Sequence, residues 1–92
     1  MPYFVYILLS EEDGKLYVGC TSDLEQRLYD HNIGKVSATK SRRPLIRIYF
    51  ERFENKADAY NRERFLKSLW SARFKKKILS EYINKIGRQK NG

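Results

Sequence analysis

Hydrophobic positions follow three rhythms along the chain. Tyr3 to Leu9 is a near-continuous apolar run of β-branched and aromatic residues, and its lack of polar alternation predicts a strand covered on both faces. Glu11-Glu12-Asp13-Gly14 follows, ending in an Asp-Gly pair that favours a hairpin turn because glycine tolerates positive φ. Lys15 to Cys20 is then a second, antiparallel strand. From Leu45 to Phe53 the pattern alternates, with Ile46, Ile48 and Phe50 predicted on one face of a third strand and Arg47, Tyr49 and Glu51 on the other.

The remaining segments carry helical spacing. Ser22 and Glu25 stand three apart, a capping-box spacing, and predict a helix from Asp23 to about Ile33 that stops at Gly34. Residues 34–44 are a polar, basic loop closed by Pro44. Asn55 is placed to cap a second helix reaching about Leu69, with Asp58 near its positive end. Ser71 is placed to cap a third, ending near Gly87, whose apolar stripe includes Phe74, Ile78, Tyr82 and Ile86. The order is ββαβαα, one α+β domain over residues 1–87 with a basic tail at 88–92.

Composition narrows this picture. Leu, Ile, Val and Phe make up 24 of the 92 residues, above the level of roughly 20% below which a charged chain tends to stay disordered. With a single cysteine, Cys20, no internal disulfide is available. The N-terminal apolar run is too short for a signal sequence or a membrane span, so a cytoplasmic protein without membrane contact is expected. The formal net charge is +8, and it is unevenly spread. Residues 1–34 hold two bases and six acids, a net of −4, whereas residues 35–92 hold seventeen bases and five acids, a net of +12. A polyanion, nucleic acid first, is the partner such a charge suits.

Several polar residues interrupt stripes that otherwise read as buried. Leu24, Arg27, Leu28 and His31 follow helical spacing, which sets Arg27 and His31 one turn apart beside an apolar stripe. Ala59, Glu63, Leu66 and Trp70 recur at helical intervals, so Glu63 is a carboxylate within a stripe meant for burial. Such a group needs a cation: a lysine or arginine, or a hard divalent ion such as Mg²⁺. Tyr6 and Tyr17 project from the same sheet face if the hairpin loop has an even number of residues. A four-residue loop, Glu11–Gly14, brings them within two ladder positions and is favoured over a two-residue turn.

Val5-Tyr6, then Tyr17-Val18-Gly19 eleven residues on, then Arg27, His31 and Glu63, resemble the GIY-YIG nuclease superfamily. The local text VYIL, LYVGCTSDLEQRLYDHN and AYNRERFLKSLW supports the likeness from Phe4 to about Lys77. It is strongest to the small single-domain bacterial type, similar to the N-terminal nuclease domain of the excision-repair protein UvrC. The resemblance implies a three-stranded antiparallel sheet flanked by helices and metal-dependent hydrolysis of phosphodiesters. It implies catalytic roles for Tyr6, Tyr17, Arg27 and His31, and Glu63 as the single ligand of one Mg²⁺ (or Mn²⁺) ion. Tyr6 is assigned as general base, with Tyr17 the other candidate. The first half-motif reads Phe4-Val5-Tyr6 in place of Gly-Ile-Tyr, and Asn84 is the nearest counterpart of a C-terminal asparagine that many members carry.

The expected function is therefore an Mg²⁺-dependent endonuclease acting on DNA, branched or damaged DNA included, in repair or recombination, with RNA as a further substrate class. The alternative is a nucleic-acid-binding module without catalysis. Lys40, Arg42 and Arg43 in the loop, and Lys75, Lys76 and Lys77 on the third helix, are the expected phosphate contacts. Glu11, Glu12 and Asp13 are expected at a turn away from the site.

Overall fold

The computed structural model describes residues 1–91, with side chains described as far as Gly87. Its elements are β1 (Tyr3–Ser10), β2 (Leu16–Thr21), α1 (Leu24–Asn32), β3 (Leu45–Phe53), α2 (Lys56–Lys67) and α3 (Ala72–Asn91). Short 3₁₀ turns at Lys40–Arg42 and Leu69–Ser71 complete it. The sheet is antiparallel in the order β2-β1-β3. The expected α+β fold, a three-stranded antiparallel sheet flanked by helices in the order ββαβαα, is the one observed.

Strand β1 is central, and Val5, Tyr6, Ile7 and Leu8 are each at most 2% exposed. Consecutive buried residues on a strand point to opposite faces, so both faces must be covered. Helix α1 covers one, where Leu24 and Leu28 pack with Tyr6, Leu8, Tyr17 and Leu45. Helices α2 and α3 cover the other, where Ala59, Leu66 and Ile78 pack with Val5, Ile7 and Val18. The β1–β2 loop is Glu11–Gly14: Ser10 N–H donates to Lys15 O at 3.0 Å and Gly14, at φ +70°, closes the turn.

The alternation predicted for β3 does not hold. Ile7 pairs with Tyr49 but Leu8 pairs with Arg47, which leaves Ile48 as an extra residue in a bulge. Beyond the bulge the faces exchange. Arg47 and Phe50 share the α1 face, where Arg47 pairs with Glu25 at 3.0 Å, while Ile48 and Tyr49 join the α2–α3 core. Glu51, on that second face, receives both Nε (2.8 Å) and Nη2 (2.9 Å) of Arg62 from α2.

Helix boundaries differ from expectation at four points. Asp23, not Ser22, caps α1, its side chain accepting from Gln26 N–H at 3.1 Å; β2 continues to Thr21, so Asp23 is where the chain turns. Helix α2 ends at Lys67, short of Leu69. Ser71 does not cap α3; its buried hydroxyl turns back to the Leu66 and Ser68 carbonyls, 2.9 Å from each, and satisfies acceptors that the end of α2 leaves open. Helix α3 passes Gly87 to Asn91, because Gly87 does not take the positive φ that ends α1 at Gly34. Of the tail expected at 88–92, residues 88–91 are therefore helical backbone, and Gly92 lies outside the described residues.

The early end of α2 splits the predicted stripe: Leu66 is fully buried and Trp70 is 88% exposed. Leu66→Ala is expected to cost about 2–5 kcal/mol of stability through the cavity it leaves. Trp70→Ala is expected to change stability by less than about 0.5 kcal/mol, as surface substitutions do. Urea denaturation of the two variants checks the contrast.

Candidate active site

The site forms where β1 side chains reach over the edge strand β2. Tyr6 pairs directly with Gly19, and its ring lies across that residue so closely that a Cβ at 19 would overlap the phenol. Glycine is therefore required at this position by the tyrosine opposite it. The ring can then extend toward α1, where its hydroxyl lies 2.9 Å from His31 Nε2.

His31 is in the last turn of α1 and is fully buried. Its Nδ1 lies 2.7 Å from the Thr39 hydroxyl, and that hydroxyl is directed at Val36 O, 3.4 Å away. With Thr39 O–H directed at the carbonyl, the tautomer assigned to His31 carries its proton on Nδ1, which donates to the Thr39 oxygen, while Nε2 accepts from Tyr6 O–H. Burial, reinforced by the Arg27 charge, pushes His31 down to about 4. Burial pushes Tyr6 up to about 12, with the Tyr17 and Glu63 charges adding to the rise and Arg27 opposing it. At neutral pH the Tyr6–His31 pair is thus uncharged, with Arg27 standing beside the Tyr6 hydroxyl as the permanent cation. Tyr17 completes the cluster, its ring 5.1 Å from that of His31 and 6.4 Å from that of Tyr6; it is half-buried on edge strand β2.

Glu63 approaches from the other side of the sheet. It lies on α2 between the buried Ala59 and Leu66, and its charge reaches both Tyr6 and Cys20. Its Oε2 pairs with Lys67 Nζ at 3.1 Å, and its side chain is 16% exposed. Among the described residues no group of three or more metal-ligating side chains occurs. A donor set of one carboxylate does not suit Zn²⁺, which takes three or four protein ligands. It fits Mg²⁺ or Mn²⁺ retaining most of its water, since Mg²⁺ is commonly held by one or two carboxylates. Lys67 is half exposed and can release Glu63 to solvent-side ligands.

The structure thus brings together Tyr6, Tyr17, Arg27 and His31, with Glu63 within electrostatic reach. It does not bring Asn84 to them. Asn84 is exposed, and its neighbours Glu81, Tyr82 and Lys85 line a hollow with Arg47 and Tyr49 of β3, on the opposite side of β1 from β2. The acidic turn folds against the basic loop. Arg42 bridges Asp13 (2.9 Å) and Leu16 O (3.3 Å), and Glu12 shares a hollow with Lys40 and Arg43. Opposite charges hold loop and turn together, so Arg42 is occupied with the fold. Lys40, Arg43, Lys76 and Lys77 are exposed and Lys75 is half-buried.

Thr39 escaped the sequence reading because it lies in an irregular loop with no periodic pattern, and only the fold carries it to His31. Lys67 was within reach of that reading, as it stands four residues after Glu63 on one helix.

Two measurements test the buried pair. As His31 is the single histidine of the chain, its imidazole resonances are expected not to titrate between pH 5 and 8. A histidine that protonates at about 6.5 when unfolded and at about 4 when folded binds its proton more readily in the unfolded chain. Stability should therefore fall as pH drops from about 6.5 toward 4, with a shallower fall in His31→Gln, read from thermal melts. Gly19→Ala should displace the Tyr6 ring and return the His31 titration toward its unfolded value.

The model of the GIY-YIG catalytic domain matches residues 2–77. A UPF0213 protein of Staphylococcus haemolyticus is 39% identical over 80 residues, covering 86% of this chain and 95% of that one. A UPF0213 protein of Natronomonas pharaonis is 35% identical over 80 residues, covering 86% and 93%. The solution NMR structure of a UPF0213 protein from Bacillus halodurans superposes with a TM-score of 0.54 at 34% identity, covering 87% of this chain and 84% of that one. With its tyrosines, arginine, histidine and glutamate in order along a domain of this fold, the chain belongs to the GIY-YIG family of nucleases, among the UPF0213 proteins.

Proposed function

We propose that the protein is a metal-dependent endonuclease that hydrolyses phosphodiester bonds in DNA, in repair or recombination, in the cytoplasm. The observation that carries this reading is the meeting of two phenols, an arginine and a neutral histidine at one sheet edge, with a single carboxylate in electrostatic reach. Among the described residues no helix is long and apolar enough to cross a membrane, in keeping with a substrate met in solution.

The two tyrosines take different roles. A general base must reach the attacking water. Tyr6 is 2% exposed, is pushed up to about 12, and already gives its proton to His31 in a hydrogen bond. Tyr17 is half-buried on the outer strand. The base is therefore reassigned from Tyr6 to Tyr17, and Tyr6 becomes a positioning residue that orients His31 and Arg27. Arg27 offers its planar fork to the non-bridging oxygens of the phosphate as charge develops there. Burial keeps Tyr6 neutral and His31 holds its hydroxyl in a hydrogen bond, so no negative charge on Tyr6 competes with phosphate beside Tyr17. Glu63 would hold the divalent ion, which when bound supplies Lewis-acid stabilisation of the phosphoryl oxygens.

Nicking of supercoiled plasmid with Mg²⁺ or Mn²⁺ tests the proposal. Wild type is expected to nick, EDTA to abolish the reaction, and Tyr17→Phe, Arg27→Ala and Glu63→Ala each to lower the rate by about 10²–10⁴-fold. Tyr6→Phe is expected to lose less than Tyr17→Phe. Salt-sensitive binding without cutting would select the non-catalytic module instead, and equal cutting by Glu63→Ala would overturn the role of the carboxylate.

A further inference from the structure

The α2–α3 connection presents two large apolar side chains to solvent, Leu69 at 93% and Trp70 at 88% exposure. The 3₁₀ turn that carries them is held from beneath. Ser71 is fully buried and its hydroxyl binds the Leu66 and Ser68 carbonyls, while Ser68 Oγ donates to Phe65 O at 2.6 Å. The knob is thus a fixed projection on a braced turn, and exposing an indole this fully has no stabilising return for the fold.

Its surroundings select a partner. Residues 64–77 contain Arg64, Lys67, Arg73, Lys75, Lys76 and Lys77 and no acid, a net of +6 around the tryptophan. A second copy of this chain docking knob to knob would bring two such segments face to face, and like charges oppose that. A polyanion with flat apolar faces matches both features at once, since bases stack on aromatic side chains while cations track the backbone. Glu63 lies four residues before Lys67 on α2, with a rise of about 6 Å, and three extended residues add at most about 11 Å to Trp70. The Cα atoms of Trp70 and Glu63 therefore lie within about 17 Å of each other, a span of roughly five base steps at 3.4 Å.

We propose that Trp70, with Leu69 beside it, is a stacking platform for an unpaired base of the nucleic acid strand near the scissile phosphate. Bases within a duplex have both faces covered by their neighbours, so the platform selects DNA with a single-stranded stretch, a flap or a frayed end. This rests on the nuclease reading above and names the substrate class for that same site.

Trp70 is the single tryptophan of the chain, so its emission reports this position alone. The full chain, in EDTA to prevent cutting, is titrated with a fluorescein-labelled 12-nucleotide single strand and with the corresponding blunt duplex. Anisotropy of the label and, with unlabelled strands, tryptophan emission are followed. The single strand is expected to quench Trp70 over the same concentrations that raise the anisotropy, and the duplex to quench it much less. Trp70→Ala is expected to weaken single-strand binding about 5- to 100-fold, while Trp70→Phe stays within a few-fold of wild type. Unchanged emission at saturation, or equal binding by Trp70→Ala, overturns the platform and leaves the nuclease reading standing. Absence of any DNA binding at low salt removes both. A blue shift of Trp70 that grows with protein concentration without DNA would make the knob a self-interface and also overturn it.

Discussion

Strand β1 is buried on both faces over Val5 to Leu8, and the rest of the molecule is arranged by that requirement. Each face needs its own apolar cover, which α1 supplies on one side and α2 with α3 on the other. Helices on opposite faces meet at a sheet edge, so residues from α1 and α2 converge at β2. Tyr6 belongs to this strand and takes part in both the core and the site. Its ring is part of the hydrophobic cluster under α1, and its hydroxyl is the first polar atom that cluster must satisfy. The fold does so with His31, which Thr39 satisfies in turn.

That chain of hydrogen bonds sets the electrostatics of the site. Three neutral groups in series need no counter-ion, so burying them costs far less than burying an ion. Burial that depresses His31 and raises Tyr6 keeps the series neutral. The permanent charges, Arg27 and Glu63, stand at its margin, where solvent or a substrate can reach them. A neutral centre with charges at its edge suits a substrate that is itself an anion.

The basic residues divide into two populations that composition cannot separate. Arg42, Arg47 and Arg62 are each paired with a carboxylate and hold elements together: Asp13 with the loop, Glu25 with β3, and Glu51 with α2. The run from Arg64 to Lys77 contains no acid of its own. The charge split between the two parts of the chain is thus only partly available to a partner, because the acidic turn is spent on the basic loop that folds against it.

Local pattern alone determined the elements and their order. The unbroken apolar run made β1 central, Asp13-Gly14 made the hairpin, Asn55 capped α2 and Gly34 ended α1. Arg27, His31 and Glu63 were legible as polar residues within or beside stripes meant for burial, whereas Tyr6 and Tyr17 stood out only through the resemblance of their order and spacing to a nuclease family. Tertiary structure decided the rest. The bulge at Ile48 depends on how β3 fits β1, and it reversed the expected faces. Thr39 reached His31 through an irregular loop, and Trp70 left its stripe because Ser71 was drawn back to the end of α2. Which tyrosine water can reach was decided there as well, since burial is a property of neighbours distant in sequence. Periodicity reports what a segment needs to bury, and only the packed chain determines which surface meets that need.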